Sequence, residues 1–432
     1  MRHAEFRQQP EHFPTPRAPE FPPVFPAGGG PDRIRRTVSL PQSGPGTEAR
    51  PGRPAVLHVV QQTDGGVARV VLDLVAHQIR GGSPAAVACP GGGMLADAVR
   101  ALGAGVHPWR AGRTAGPLLA REVGQLAGIV AAAGPQLVHA HGPKAGLAVR
   151  LALRGRIPTV FQPHVWSFGP AGGVLDGPAR RWERYGARWA DRIVCVSETE
   201  RRKGVAAGVE AVWTVVPNGV DTERFRPAAE GERRSLPPLV ADLPGSAPLV
   251  VCVGRLCRQK GQDVLLAAWE QVLHRVPNAR LVLVGDGPGA DALGASAPAS
   301  VRFAGDEADS APWYRAADLV VVPSRWESMA LTPLEAMACG RPVVVTDVAG
   351  TRESLPPGHA LFCTTPAQDP YALATAVGDL LLNGPLRRTL GRQGRQHVLA
   401  AHDVRHSASA ISDVYREVSA ARPAGGRGPA AR

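Results

Sequence analysis

AVLHVV at residues 55–60, GVARVVLDLVAHQI at 66–79 and PAAVAC at 84–89 decide the fold class of this chain. The first and third are short apolar runs, whereas the second repeats its apolar residues at helical spacing. A strand–helix–strand unit of this length sets its two strands parallel, with the helix crossing between them. Neither strand alternates apolar with polar residues, so both of its faces are buried. The pattern continues through QLVHAH (136–141), PTVFQ (158–162), RIVCV (192–196) and VWTVVP (212–217). Pro227, Pro237, Pro238, Pro244 and Pro248 then interrupt it. It restarts at PLVVCVG (248–254), followed by a helix over 261–275, ARLVLVG (279–285), SVRFAG (300–305), DLVVVP (318–323) and PVVVTD (342–347). The pattern predicts an α/β chain of two doubly wound, Rossmann-like domains whose strand ends face a central cleft.

Outside this region the composition changes. Residues 1–53 hold eleven prolines and no apolar period, too little to offset the entropy of ordering, and residues 423–432 read the same way. Both are expected to be disordered. The net charge of +12 suits an anionic partner. Half of that excess lies in the two tails, and neither a Cys/His finger spacing nor a dense basic helix occurs, which argues against nucleic acid. The six cysteines form no CxxC pair and read as small core residues of a reducing compartment. With no signal segment and no apolar run of membrane length, a cytoplasmic protein is expected.

Three segments carry chemistry. Arg325-Trp-Glu327-Ser-Met-Ala-Leu-Thr-Pro-Leu-Glu335 follows an apolar strand and leads into a helix expected to start near Thr332, with Pro333 first. The backbone N–H groups of about Met329 to Thr332 then stand free at a helix N-terminus and favour a phosphate. Glu327 and Glu335 flank that cradle, and a carboxylate accepts hydrogen bonds from the vicinal hydroxyls of a sugar or a ribose. Val253-Gly-Arg255-Leu-Cys-Arg-Gln-Lys260 leaves the end of the second domain's first strand. Two cations there can neutralise a diphosphate leaving group. The chain uses only three lysines among 49 basic residues, so a Lys at 260 suggests a need for a compact charge. Gly65 and Gly66 sit at a strand-to-helix turn and permit close backbone approach to a ligand.

Other signals are weaker. Gly91-Gly-Gly-Met-Leu-Ala96 and Gly285-Asp-Gly-Pro-Gly-Ala290 imitate a dinucleotide fingerprint, but neither opens the first unit of its domain. His139, His141 and His164 stand at carboxyl ends of strands. No third ligand at recognisable spacing supports zinc. His139 reads as structural, and His164, near Trp166 and Phe168, as the better sugar contact. No Asp-x-Asp triplet occurs, which favours a site whose cations come from the protein rather than from a metal.

Taken together, these residues resemble those of the retaining GT-B glycosyltransferases of family four over about residues 55–420. The matching motifs are Gly65-Gly66, Pro217-Asn-Gly-Val-Asp221, Gly254-Arg-Leu with Lys260-Gly261, Gly285-Asp-Gly-Pro288, and Glu327 with Glu335. The resemblance implies a nucleotide-diphosphate sugar (UDP-, GDP- or ADP-linked) as donor. It also implies a hydroxyl acceptor, which could be lipid-linked with peripheral membrane association, and no metal or other cofactor. It gives Arg255 and Lys260 to the diphosphate, Glu335 to the ribose, and Glu327 and His164 to the donor sugar. Gly65 and Gly66 would approach the diphosphate from the first domain. Ser328, Met329, Ala330 and Leu331 would form the phosphate cradle. Ser328, Met329 and Ala330 replace the family's usual Gly-Phe-Gly, which puts sugar choice in doubt. An epimerase, a phosphorylase or a non-catalytic nucleotide-sugar binder on the same fold remains an alternative.

The expected organisation is then a Pro-rich segment (1–53), an acceptor domain (54–225), a linker (226–248) and a donor domain (249–404). A helix over 405–421 crosses back to the first domain, and a tail (422–432) ends the chain. Deleting residues 1–53 is expected to leave melting temperature and turnover unchanged. A drop of more than a few degrees would mean that the segment packs on a domain.

Overall fold

Six of the apolar runs, joined by one short edge strand, pair into one sheet. They are β1 (Val56–Val60), β2 (Ala85–Cys89), β3 (Gly105–Pro108), β4 (Leu137–His141), β5 (Thr159–Gln162), β6 (Arg192–Cys195) and β7 (Trp213–Val215). Their order is β3-β2-β1-β4-β5-β6-β7, with every pairing parallel. The second sheet takes β8 (Leu249–Val253), β9 (Arg280–Val284), β10 (Val301–Gly305), β11 (Leu319–Val322), β12 (Val343–Thr346) and β13 (Thr364–Thr365). Its order is β10-β9-β8-β11-β12-β13, again parallel. The computed structural model describes residues 54–112, 116–169, 176–228, 237–244 and 246–421. The segments 1–53 and 422–432, and part of the expected linker, lie outside the described residues.

The central strands are buried along nearly their whole length: β1, β4, β5, β11 and β12 have no exposed residue. Helices cover both faces, as parallel strands require. β3 and β13 were not read from the sequence. Each is a sheet edge with one neighbour, and β13 is two residues long. An edge strand buries too little to need a long apolar run, so it leaves little trace in the sequence.

The last helix (Val404–Ala421) belongs to the second half of the chain but packs on the first sheet. Ala408, Ile411, Val414, Tyr415 and Val418 recur at intervals of three and four and meet Val56, Leu137, Val160, Val194 and Val216. The turn before it is tied down from the same side. His402 Nδ1 lies 3.0 Å from the Asn218 carbonyl, Ser407 Oγ donates to the Pro217 carbonyl at 2.8 Å, and Thr222 donates to the Asp403 carboxylate. Among the described residues no helix is long and apolar enough to cross a membrane.

Candidate active site

Strand order reverses twice: between β1 and β4 in the first sheet, and between β8 and β11 in the second. At such a switch point the loops leaving adjacent strands diverge to opposite faces and open a crevice at the carboxyl ends. The predicted residues gather there. Gly65 and Gly66 follow β1, His141 ends β4 and His164 follows β5. Arg255 and Lys260 follow β8, and the segment 324–331 follows β11. Gly66 faces the second domain so closely that a Cβ on it would lie 3.9 Å from Leu331 Cδ1.

In the second domain Arg255 is exposed, and its guanidinium has no partner among the described residues. Lys260 differs from the free cation that the sequence suggests. Its Nζ lies 2.6 Å from Glu327 Oε1, with both side chains largely buried, and Ser324 Oγ donates to the same oxygen at 3.0 Å. Burial works against the ammonium, but the charge and hydrogen bond of Glu327 overcome it and hold the Lys260 pKa above its ordinary value. The spacing of 67 residues hid this pair, which exists because β8 and β11 are neighbours.

The helix after β11 runs from Leu331 to Ala338, one residue earlier than expected. Ala330 is its extended N-cap, and Pro333 stands third rather than first. A proline fits anywhere in a first turn, because those N–H groups lack intrahelical acceptors. No protein acceptor among the described residues takes the N–H groups of Met329, Ala330 or Leu331. Glu335 lies beyond the first turn and does not act on the helix dipole. Tyr314 Oη donates to Glu335 Oε2 at 2.6 Å, and burial raises the carboxyl pKa.

This segment is also pinned to the first domain. Asn218 Nδ2 donates to the Met329 carbonyl at 2.8 Å, and Ser328 Oγ donates to Glu200 Oε1 at 3.1 Å. Glu353, on the short helix Thr351–Ser354 that follows β12, accepts from the N–H groups of Glu198 and Thr199 at 2.6 and 2.9 Å, at the N-terminus of the helix Glu198–Ala206. Gly350 is required between these contacts. Its φ is +75°, and a Cβ there would fall 1.4 Å from the Ser328 carbonyl oxygen.

Burial raises the Glu200 pKa to about 7. The folded state therefore holds this proton more tightly than the unfolded chain, where a glutamate titrates near 4.3. The contribution to stability is complete below that value and is lost as pH rises through about 7. Melting temperature is thus expected to fall between pH 5 and 7, and Glu200→Gln to flatten the slope. An unchanged slope would show that Glu200 does not titrate in that window.

The histidines form a cluster that spacing alone does not reveal. His139 and His141 share one face of β4 because side chains alternate along a strand, and His58 on β1 is in register with His139. Ring nitrogens of His58, His139 and His141 all lie within 4.8 Å of one another. A third candidate ligand therefore does exist, supplied by strand pairing and not by motif. All three rings are already engaged: His58 Nδ1 and His141 Nε2 are 3.0 Å apart. His139 Nδ1 lies 2.6 Å from Tyr415 Oη. His164, at φ +59°, places Nε2 3.2 Å from His141 Nδ1. Trp166 and Phe168 are buried in the first domain's core, and the Trp166 indole donates to the Glu200 carbonyl, so neither offers a stacking face to a sugar.

Residues 64–224 match Glycosyltransferase Family 4, and residues 247–383 match Glycosyl transferases group 1. The D-inositol 3-phosphate glycosyltransferase of Saccharomonospora viridis is 33% identical over 313 residues, covering 66% of this chain and 70% of that protein. This chain belongs to glycosyltransferase family 4. The alpha-maltose-1-phosphate synthase of Mycolicibacterium smegmatis is 32% identical over 316 residues, 66% of this chain and 79% of that protein. Among solved structures, Anabaena HepE in complex with UDP and glucose superposes with a TM-score of 0.72 at 22% identity, covering 84% of this chain and 99% of that one. The family 4 chain thus has the GT-B fold and is a glycosyltransferase.

The candidate residues of this glycosyltransferase read from the sequence stand at the strand ends, but Tyr314, Ser324, Asn218, Glu200 and Glu353, which contact them or hold them across the domains, were not among them. Only Asn218 stood in a quoted motif. Tyr314, Glu200 and Glu353 carry no local signal, since each meets a residue far along the chain, and Ser324, three residues before Glu327, stands just past an apolar run without a motif of its own.

Proposed function

We propose that this glycosyltransferase moves a hexosyl group from a nucleotide-diphosphate sugar to a hydroxyl acceptor, with retention at the anomeric carbon and without a metal ion. One observation carries the reading. The free Arg255 guanidinium, Lys260 and the open N–H groups of Met329 to Leu331 converge at one switch point, and Glu335 is oriented there by Tyr314. Together they supply charge and donors for a diphosphate. Gly65 and Gly66 approach it from the first domain, and Ser328, held by Glu200, keeps the cradle in place. Glu335 takes the ribose, and Glu327 and His164 take hydroxyls of the donor sugar.

The bond from the anomeric carbon to the leaving phosphate oxygen breaks as the acceptor oxygen attacks the same face. The acceptor's proton passes to an oxygen of the departing diphosphate. Protein cations meet the growing negative charge, the role a metal plays elsewhere. The HepE complex with UDP and glucose favours a UDP-sugar as the first donor to test.

The matching UDP-, GDP- or ADP-sugar is expected to raise the melting temperature, because ligand bound only by the folded state stabilises it. Turnover is expected to persist in excess chelator. Activity that disappears and returns with manganese or magnesium would overturn the metal-free reading. The anomeric configuration of fresh product, read by NMR, tests retention. Donor consumed without any acceptor would point instead to an epimerase.

A further inference from the structure

Four side chains form one unbroken line from the first domain's core to the cleft. Gln78, on the helix Gly65–Arg80, places Oε1 2.7 Å from His58 Nε2. His58 Nδ1 lies 3.0 Å from His141 Nε2, and His141 Nδ1 lies 3.2 Å from His164 Nε2. Gln78, His58 and His141 are almost fully buried, and His164 is 8% exposed. The line ends at His164 Nδ1, which has no partner among the described residues.

Burial holds all three rings neutral: it lowers His58 to about 4, His164 to about 3 and His141 well below its ordinary value. A neutral imidazole donates from one nitrogen and accepts at the other. The line therefore has a direction, and one end decides it. Gln78 Oε1 can only accept, so His58 carries its proton on Nε2 and accepts at Nδ1. His141 must then donate from Nε2 and accept at Nδ1. His164 in turn donates from Nε2. Its Nδ1 is left with a lone pair and no proton.

We propose that Gln78, His58 and His141 are positioning residues that lock His164 in the Nε2–H tautomer, so that Nδ1 accepts a hydrogen bond from a hydroxyl of the donor sugar. The proposal rests on the reading that His164 touches that sugar. The left-handed backbone at His164 agrees, since a non-glycine residue persists there only when its surroundings hold it. Selectivity follows. A hydroxyl at the contacted position is favoured over fluorine, which cannot donate, and over hydrogen.

The test uses the full chain labelled with 15N-histidine, with the His164 signals assigned by their loss in His164→Gln. In the wild type, Nδ1 is expected unprotonated and Nε2 protonated. Gln78→Met, similar in size but without the acceptor, is expected to mix the His164 tautomers. It should lower kcat about tenfold with KM nearly unchanged, as removing a supporting hydrogen bond behind a working side chain does. Gln78→Glu, which still accepts, is expected to restore both the ring pattern and kcat. A wild-type His164 protonated on Nδ1 overturns the proposal without need of any variant. So does an unchanged His164 pattern in Gln78→Met. Stoichiometric zinc lost in His58→Asn overturns it too, because a nitrogen bound to metal cannot accept a ring proton. If the ring patterns follow expectation but His164→Gln transfers sugar at the wild-type rate, the tautomer lock stands and the sugar contact falls.

Discussion

Lys260→Ala is expected to lower kcat by roughly a hundredfold or more, with a smaller change in KM. The ammonium is proposed to meet charge that grows on the diphosphate as the glycosidic bond breaks. Removing one such preorganised contact costs on the order of 3 kcal/mol. An interaction stronger in the transition state than in the ground state appears in kcat when lost. The ion pair with Glu327 adds a consequence that an isolated lysine would not have. Without Lys260, the Glu327 carboxylate keeps, among the described residues, only the Ser324 hydroxyl as partner, in a pocket where its side chain is 11% exposed. Breaking a fully buried pair costs about 3–5 kcal/mol, and the partial exposure here reduces that to about 1–2 kcal/mol of folding stability. Lys260→Ala is therefore expected to lose both rate and several degrees of melting temperature. Glu327→Gln removes the pair while leaving a hydrogen-bonding side chain, and should instead blur discrimination between epimeric donors. Measuring kcat/KM for two such donors, together with melting curves, separates the cases. Near wild-type turnover in Lys260→Ala would sink the diphosphate assignment.

Gly350→Ala, far in sequence from any reacting group, is expected to be nearly as damaging. The added methyl would overlap the Ser328 carbonyl oxygen, and backbone cannot rotate away as a flexible side chain can. A left-handed alanine is unfavourable even where space is open. Either the loop after β12 or the segment at Ser328 must move, at about 3 kcal/mol of stability. Any such shift displaces the open N–H groups of Met329 to Leu331 and the Ser328–Glu200 hydrogen bond. Transfer should fall at least tenfold, since small misplacement of the proposed phosphate cradle is costly. Ala349 is the control, because the neighbouring Ala349→Gly adds no atom. A Gly350→Ala protein with unchanged melting temperature and kcat would show that the two loops are not in firm contact.

The sequence by itself determined the two doubly wound domains, because buried parallel strands must be almost wholly apolar and crossover helices must show a helical period. It also placed the candidate site residues at strand ends, since loops there need glycines and polar side chains that the surrounding runs exclude. Gly65, Gly66, Arg255, Lys260, Glu327 and Glu335 were all legible for that reason. The tertiary structure alone decided which of these residues meet. Lys260 pairs with Glu327 because β8 lies beside β11, and His58 joins His141 because β1 lies beside β4. Strand order and register arise from the packing of whole layers, so no local pattern encodes them. The same holds for Glu353, whose carboxylate meets the Glu198–Ala206 helix only once both domains are in place.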